Sequence, residues 1–405
     1  MDLEALALLR TPEGEAALAT AADLAHSDPL TAAAALRSAG YDPALAAAAL
    51  TQASLRLRAT VKFGPSAARL FFTRAGLEQA TRQVVAGRRA DRLAAAGVRR
   101  VADLCCGVGG DALAMARAGL TVLAVDADPV TAAVAQANAA ALGLGSRVNV
   151  LCQDATTVDL SDVDAVFCDP ARRAAGSGRR VFDPNAYSPA WSFVVGLADR
   201  VPATVLKVAP GIDHELVPPT AEAEWVSVNG DVVEAALWCG PLAKVPRRAT
   251  LLRAGAAEEL TGTGGAAAPV GPVRRFIYDP DGAIVRSHLV AEFAAGVDGN
   301  IADDRIAYVY ADAPAPTPYG RCFEIIQTLP YGQKRLRAEL RSAGIGVLEI
   351  RKRGVAVDPD RLRRDLHLTG AGSATLVLTR VANAPTALLC RPVRPDPVPP
   401  GPAAG

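Results

Sequence analysis

Val101-Ala-Asp-Leu-Cys-Cys-Gly-Val-Gly-Gly-Asp111 is the stretch around which the rest of the chain is arranged. It begins as a short apolar run of the kind a buried strand shows and ends in glycines at 107, 109 and 110. Helix-forming residues follow at once, Ala112-Leu-Ala-Met-Ala-Arg117. A strand that turns through glycines into a helix brings its backbone close to a ligand and aims N–H groups at it. The stretch therefore predicts a small-molecule cofactor site.

Outward from this loop, strand-like runs recur at 101–105, 121–125, 148–152, 165–168 and 204–208, and the spacing predicts a helix over 129–142 closed by Gly143. Such alternation implies an α/β unit with a parallel sheet covered on both faces. Strand formers over 224–238 flank Asn229-Gly230, the preferred type I′ turn, and predict a closing antiparallel hairpin. Upstream, residues 2–57 are Ala/Leu-rich, with Ser27-Asp-Pro29 and Asp42-Pro43 reading as N-caps followed by proline, so short packed helices are expected. Ser66 is expected to cap a helix through Phe71 and Phe72, and 77–93 to form another, with Gly87 its weak point. Downstream, 254–272 is Ala, Gly, Thr and Pro with little else and reads as a linker or long surface loop. A helix is expected over 284–293, then a β-α-β-α-β order (322–328, 333–342, 346–350, 359–366, 375–378) and a last strand near 386–390, which fits a small α+β sandwich. The expected divisions are a helical region 1–95, a cofactor-binding domain 96–253, a linker 254–272, an α+β domain 273–392 and a disordered Pro/Gly-rich tail 393–405.

At 405 residues, half of them apolar and 21% charged, the composition is that of a soluble chain of two or three domains. No apolar run reaches the ~18 residues of a membrane span, and Met1-Asp-Leu-Glu4 lacks the basic start of a signal peptide. Seven cysteines without C-x-x-C spacing suggest neither a disulfide framework nor a zinc ribbon, and His26, His214, His288 and His367 show no metal-like spacing, so a cytoplasmic protein without a metal is expected. The formal charge of +1 hides a polar distribution: residues 51–100 hold eleven Lys/Arg against Glu78 and Asp91, and 319–367 hold eleven against six Asp/Glu. Two basic segments in a near-neutral chain point to an anionic partner.

Gly107-Val-Gly-Gly-Asp-Ala112 satisfies the dinucleotide pattern G-x-G-x-x-A, and Asp126, nineteen residues after Gly107, suits a ribose, so a nicotinamide oxidoreductase is one reading. Asp103 argues against it. A carboxylate just before the glycines repels a pyrophosphate but attracts a cofactor with a cationic amino-acid portion. S-adenosylmethionine (SAM) has that portion, no phosphate and the same ribose. Asp154 after the third strand is placed to accept from an adenine amine, and Asp169 follows the fourth strand at the carboxyl edge where open α/β sheets bind ligands. The cofactor candidates are Asp103, Cys105, Gly107 and Gly109, then Asp126 and Ala127, then Asp154 and Ala155.

Asp103-Leu-Cys-Cys-Gly-Val-Gly-Gly110, Val125-Asp-Ala-Asp-Pro129 and Asn138 resemble class I SAM-dependent methyltransferases, and especially the RNA cap guanine-N2 enzymes (trimethylguanosine synthases). The whole chain is similar to a bacterial methyltransferase family with a helical N-terminal region and a C-terminal THUMP-like domain, the latter covering Arg321-Cys-Phe-Glu-Ile and Glu349-Ile-Arg-Lys-Arg-Gly354. The resemblance implies a Rossmann-like seven-stranded sheet. It also implies RNA as the partner of the basic segments 51–100 and 319–367. In amine methyltransferases of this kind the fourth strand ends in (Asp/Asn/Ser)-Pro-Pro-aromatic; here it reads Asp169-Pro-Ala-Arg172. Asp169 and the Pro170 carbonyl retain the amine-accepting pair, while Arg172 stands where the stacking ring would be; an Arg plane stacks on a base or pairs with an anion. Phe182, Tyr187 and Trp191 are candidate substitute rings. The expectation is N-methylation of an RNA base. Competing readings are a small-molecule or protein acceptor, with Arg172 or Arg173 on a carboxylate, and a SAM-responsive RNA-binding protein without transfer.

Overall fold

In the computed structural model, which describes residues 1–172 and 187–393, the chain divides into two units: Met1–Glu222 with Ala235–Lys244, and Ala223–Glu234 with the chain from Val245 on. Phe182, Arg173 and the tail beyond 393 lie outside the described residues.

The first unit opens with α1 (Leu3–Leu9), α2 (Pro12–Asp23), α3 (Pro29–Ser38), α4 (Pro43–Phe63), α5 (Arg74–Gln79) and α6 (Gln83–Ala95). Asp28 and Asp42 cap as their Asp-Pro pairs imply: Asp28 accepts from Leu30 and Thr31 N–H (3.1 Å each) and Asp42 from Ala44 N–H (2.8 Å). Two expectations are corrected. No helix runs through Phe71 and Phe72; a short 3₁₀ turn (Gly64–Arg69) gives way to extended chain. Side-chain amides take over the backbone bonds there: Phe71 N–H donates to Asn138 Oδ1 (2.7 Å), and Phe72 exchanges bonds with Gln52 (3.0 and 2.7 Å). The helix expected over 77–93 breaks at Ala80–Arg82 rather than at Gly87. Lys62 Nζ donates to the carbonyls of Leu77 (2.9 Å), Glu78 (2.7 Å) and Ala80 (2.8 Å), which ends α5.

The sheet elements follow: β1 (Arg100–Leu104), α7 (Gly110–Arg117), β2 (Thr121–Asp126), α8 (Pro129–Ala141), β3 (Val148–Cys152), β4 (Ala165–Cys168), β5 (Ala171–Arg172), β6 (Tyr187–Ser188), α9 (Trp191–Arg200), β7 (Thr204–Val208), β8 (Glu222–Val228) and β9 (Asp231–Trp238). In this unit the order is β3-β2-β1-β4-β7-β9, parallel except for β9. The five parallel strands lie within a residue or so of their expected limits, and Asn229 and Gly230, both at positive φ, make the hairpin turn between β8 and β9. Buried Leu, Val, Ala and Phe side chains from the helices and from β1, β2, β4 and β7 share one core, in which each fully buried large side chain contributes about 1.5–3 kcal/mol.

In the second unit β8 pairs in parallel with β10 (Arg247–Arg253), which pairs antiparallel with β11 (Ala256–Gly262). The strand set therefore exceeds the seven expected, and 254–272 is not linker throughout. The Ala254-Gly255 turn, both residues at positive φ, folds β11 back along β10. A second sheet contains β12 (Phe276–Pro280), β13 (Asn300–Ile301), β14 (Val309–Ala311), β15 (Gly320–Pro330), β16 (Ile345–Lys352), β17 (Gly372–Val381) and β18 (Ala384–Pro392), in the order β13-β14-β12-β15-β18-β17-β16. The helix expected over 284–293 is two, α10 (Gly282–Arg286) and α11 (Val290–Gly296), parted at His288 with φ +61°. Leu336 and Leu340 of α12 (Gln333–Ser342) and Leu362 and Leu366 of α13 (Pro359–Leu366) pack with Leu348, Leu376, Leu378 and Ala387 of the strands, the sandwich that the β-α-β-α-β pattern implied. No helix among the described residues is long and apolar enough to cross a membrane.

Asn138 ties these parts of the first unit together. Fully buried, it accepts from Phe71 N–H and donates to the carbonyls of Phe71 (3.0 Å) and Val108 (2.9 Å), binding the helical region to the glycine loop. Replacing Asn138 by Ala strands three buried backbone groups and is expected to cost about 2–4 kcal/mol in denaturant unfolding. Asn138→Asp should cost at least as much, because a carboxylate cannot donate to the two carbonyls.

Candidate active site

The loop after β1 needs left-handed backbone at three of five positions: Cys105 (φ +62°), Gly107 (+57°) and Gly109 (+85°). Glycine takes this conformation without strain, whereas Cys105 takes it at a cost. Two bonds tie the loop to β2: Cys106 N–H donates to the Val125 carbonyl (2.9 Å), and Gly107 N–H to Asp126 Oδ2 (3.0 Å). Asp126 Oδ1 accepts from Asp128 N–H (3.0 Å). Burial raises the Asp126 pKa, opposed by these two backbone bonds.

Asp103, the last polar residue of β1, is completely buried, and neither of its oxygens has a hydrogen-bond partner among the described residues. Burial, then the nearby carboxylates of Asp111 and Asp169, push its pKa well above the usual range, while Arg89 opposes them. Arg89 is itself buried, ion-paired with Asp111 and lying 4.4 Å from the centre of the Phe167 ring.

Asp154 sits at the surface after β3. Its Oδ1 accepts from Thr156 N–H (2.8 Å) and Thr156 Oγ1 (2.7 Å), which hold its pKa below the usual carboxylate value. It is thus a cap, as well as a strand-end acid. Ala127 is exposed after β2, and Ala155 is buried in the short turn after Asp154. Cys168, at the end of β4, is buried; a hydrogen bond with Cys105 and burial push its thiol up.

Asp169 is partly exposed and Pro170 buried. Asp169 N–H donates to the Leu104 carbonyl (3.1 Å), which sets it beside the Asp103 loop. Its Oδ2 lies 2.6 Å from Lys207 Nζ on β7, and Lys207 also donates to Thr81 Oγ1 (3.0 Å). Asp103 and Asp169 are therefore brought together, with Asp126, at the end of β2, bonded to the glycine loop. Lys207, Thr81, Arg89 and Asp111 were not singled out in the sequence; a lysine inside the apolar run Thr204-Val-Leu-Lys-Val208 is the signal that could have found the first of them. Lys62 belongs to the same charge cluster, and burial, then Lys207 and Arg82, lower its pKa to about 8. Arg172 lies on β5, paired with Tyr187 of β6. Tyr187 is buried against Trp191 (ring centroids 5.8 Å apart), so it packs rather than offering an open face. No group of three or more His, Cys, Asp or Glu among the described residues is arranged to hold a metal.

The basic segment 51–100 is in good part internal wiring. Arg56 donates to the Leu70 carbonyl (2.8 Å), Lys62 to three carbonyls, Arg69 to the Ala141 carbonyl, and Arg92 takes the buried Glu222 carboxylate in a two-pronged grip (2.7 Å each) while stacking on Trp238. The other segment differs: Lys334, Arg335 and Arg341 of α12 and Arg361 and Arg364 of α13 are exposed.

Three family models match the chain: a methyltransferase domain over residues 101–175, a THUMP domain-like module over 320–392, and a domain of unknown function over 2–59. Over 356 residues the chain is 37% identical to uncharacterized S-adenosylmethionine-dependent methyltransferases of Mycobacterium tuberculosis, covering 84% of this chain and 95% of the relative. A 134-residue stretch, 32% of this chain and 29% of the relative, is 32% identical to a 23S rRNA (uracil(1939)-C(5))-methyltransferase of Acidithiobacillus ferrooxidans. A crystal structure from Porphyromonas gingivalis W83 matches with a TM-score of 0.71 at 21% identity, covering 96% of this chain and 98% of that one, a likeness of fold.

The Asp103 environment has a measurable consequence. Its pKa is raised in the folded chain relative to the unfolded one, so the folded state keeps the proton to higher pH, and that contribution to stability is lost as pH rises through the elevated value. Thermal unfolding of the ligand-free protein from pH 5 to 9 should show the native chain losing stability with rising pH relative to Asp103→Asn. Parallel curves for the two would refute the assignment.

Proposed function

The chain belongs to the S-adenosylmethionine-dependent methyltransferases, and from that premise we propose that its methyl acceptor is a nitrogen of a nucleobase in RNA. The observation that carries this reading is Asp169, a partly exposed carboxylate one strand from buried Asp103, clamped by one oxygen and followed by a proline carbonyl. A carboxylate and a carbonyl at the end of the fourth strand suit an amine, whose two hydrogens they accept while its lone pair is turned outward. The THUMP domain-like match, the exposed cations of α12 and α13 and the distant likeness to an rRNA methyltransferase support RNA over a small molecule.

The residues fit the cofactor. A buried carboxylate with both oxygens unsatisfied suits the amino-acid ammonium, which gives Asp103 the charge partner it lacks. Asp126 has one backbone bond on each oxygen and a lone pair left on each for a ribose hydroxyl. Asp154 would face the adenine amine. When bound, SAM supplies a methyl group on a sulfonium, a leaving group good enough that no strong base is needed. The chain's own part is alignment: Asp169 accepts from the acceptor N–H, the Pro170 carbonyl takes a second hydrogen, and the acceptor's proton departs after transfer. The likeness to cap guanine-N2 enzymes extends to Asp169 and Pro170 and stops at Ala171 and Arg172, so the base need not be guanine.

Asp169→Ala is expected to lower labelled-methyl transfer from SAM to total bacterial RNA by about 100-fold or more, with affinity for S-adenosylhomocysteine within about threefold of the native value. Transfer unaffected by the change removes Asp169 from the reaction, and label found in protein or small molecules instead of RNA overturns the substrate. Affinity for S-adenosylhomocysteine, which keeps the ammonium, should rise with pH by up to about tenfold per unit below the elevated Asp103 pKa, with proton release detected by titration calorimetry in two buffers. Asp103→Asn should abolish that dependence.

A further inference from the structure

β7 is buried along most of its length, with Val205 and Leu206 wholly inaccessible, yet it carries Lys207, whose side chain is 13% exposed. A lysine in such a strand is costly unless its ammonium is engaged. Among the described residues Nζ reaches groups from two other parts of the fold: Asp169 Oδ2 at 2.6 Å, after β4, and Thr81 Oγ1 at 3.0 Å, between α5 and α6. Thr81 is buried and its backbone is not free to drift, because Lys62 holds the carbonyls of Leu77, Glu78 and Ala80 immediately before it. Asp169 is likewise held by its backbone N–H on the Leu104 carbonyl.

We infer that Lys207 is the positioning residue of methyl transfer: anchored on Thr81, it fixes Asp169 Oδ2 so that Oδ1 is the oxygen presented to the acceptor. This rests on the reading of Asp169 as the acceptor-binding group. A carboxylate on a flexible side chain samples several rotamers, and a charge-assisted bond to one oxygen selects one of them. The acceptor then meets one oriented lone-pair direction instead of an average. Through Thr81 and Lys62 the helical N-terminal segment becomes part of the transfer machinery.

The test combines Lys207→Met, Lys207→Arg, Thr81→Val and Asp169→Asn. Lys207→Met should lower kcat for labelled-methyl transfer to total RNA by about 30-fold, leaving the KM for RNA and the affinity for S-adenosylhomocysteine within about threefold. Lys207→Arg, which keeps the charge, should recover most of the rate, and Thr81→Val should lose several-fold. In the Asp169→Asn background Lys207→Met should have no further effect. A Lys207→Met enzyme with the native kcat overturns the proposal, as does additivity with Asp169→Asn. If Lys207→Met does not fold, Thr81→Val and Lys207→Arg decide: native kcat in the first overturns it. A native rate in Asp169→Asn alone would sink the underlying reading instead. Independently of any acceptor, NMR of the lysine ammonium groups should show a protected Lys207 signal that shifts in Asp169→Asn; indifference to that change overturns the proposal even if RNA is not the substrate.

Discussion

Asp103 is a carboxyl group with no exposed surface and with neither oxygen hydrogen-bonded among the described residues, and this burial is the constraint to which the charges around the glycine loop answer. Isolated burial of a charge is among the most expensive arrangements in a protein. The cost is reduced by the buried Arg89 guanidinium, which opposes the rise in the Asp103 pKa that burial, Asp111 and Asp169 produce, and by the proton that the carboxyl retains. What remains is a site set up to favour a cation. On the proposed reading, in which Asp103 meets the cofactor's ammonium, a pocket that satisfied Asp103 internally would bind that group less well, so the cost in the ligand-free chain and the affinity for the cofactor would have one origin.

The helical N-terminal segment is an integral wall of this site. A Cβ at Gly76 would come within 2.5 Å of Val108 Cγ1, so the approach of α5 to the glycine loop requires glycine there. Phe63, at the end of α4, lies against Gly110, where a Cβ would stand 3.6 Å from the ring. Asn138 joins the Phe71 backbone to Val108 across the same seam. Packing and a side-chain amide thus converge on the loop from elements distant in sequence, while the Lys62 and Lys207 ammonium bonds tie down the α5–α6 segment and Asp169. Rigid support of this kind keeps reacting groups aligned, which is where a methyl-transfer site has most to gain.

The places where sequence reading went astray share a cause. The helix expected through Phe71 and Phe72 was displaced because Asn138 and Gln52 satisfy those backbone groups better than a helix there would. The 77–93 helix broke where a lysine from α4 captured its carbonyls, not at its weakest residue. Residues 254–272 read as linker because β11 is an edge strand with little apolar surface, and its pairing with β10 owes as much to the Ala254-Gly255 turn as to composition. Among the cations of 51–100, Arg56, Lys62, Arg69 and Arg92 are engaged by carbonyls and a carboxylate that a linear charge count does not reveal, whereas Arg58, Arg74, Arg99 and Arg100 stay exposed.

Locally encoded features were legible. Asp-Pro caps, alternating apolar runs, the Asn229-Gly230 turn and glycines at positive φ each depend on a few neighbouring residues, so the strands, most of the helices and the glycine loop with Asp103 and Asp126 could be read in order along the chain. The chemistry of Asp169 could be read only in part: its position after the fourth strand follows from the pattern, but its partner does not. Lys207 is thirty-eight residues further on, and Thr81 is earlier than either. They meet because parallel strands β4 and β7 are neighbours in the sheet and the connection between α5 and α6 brings Thr81 to Lys207, a proximity that exists only after long-range burial has brought those elements together.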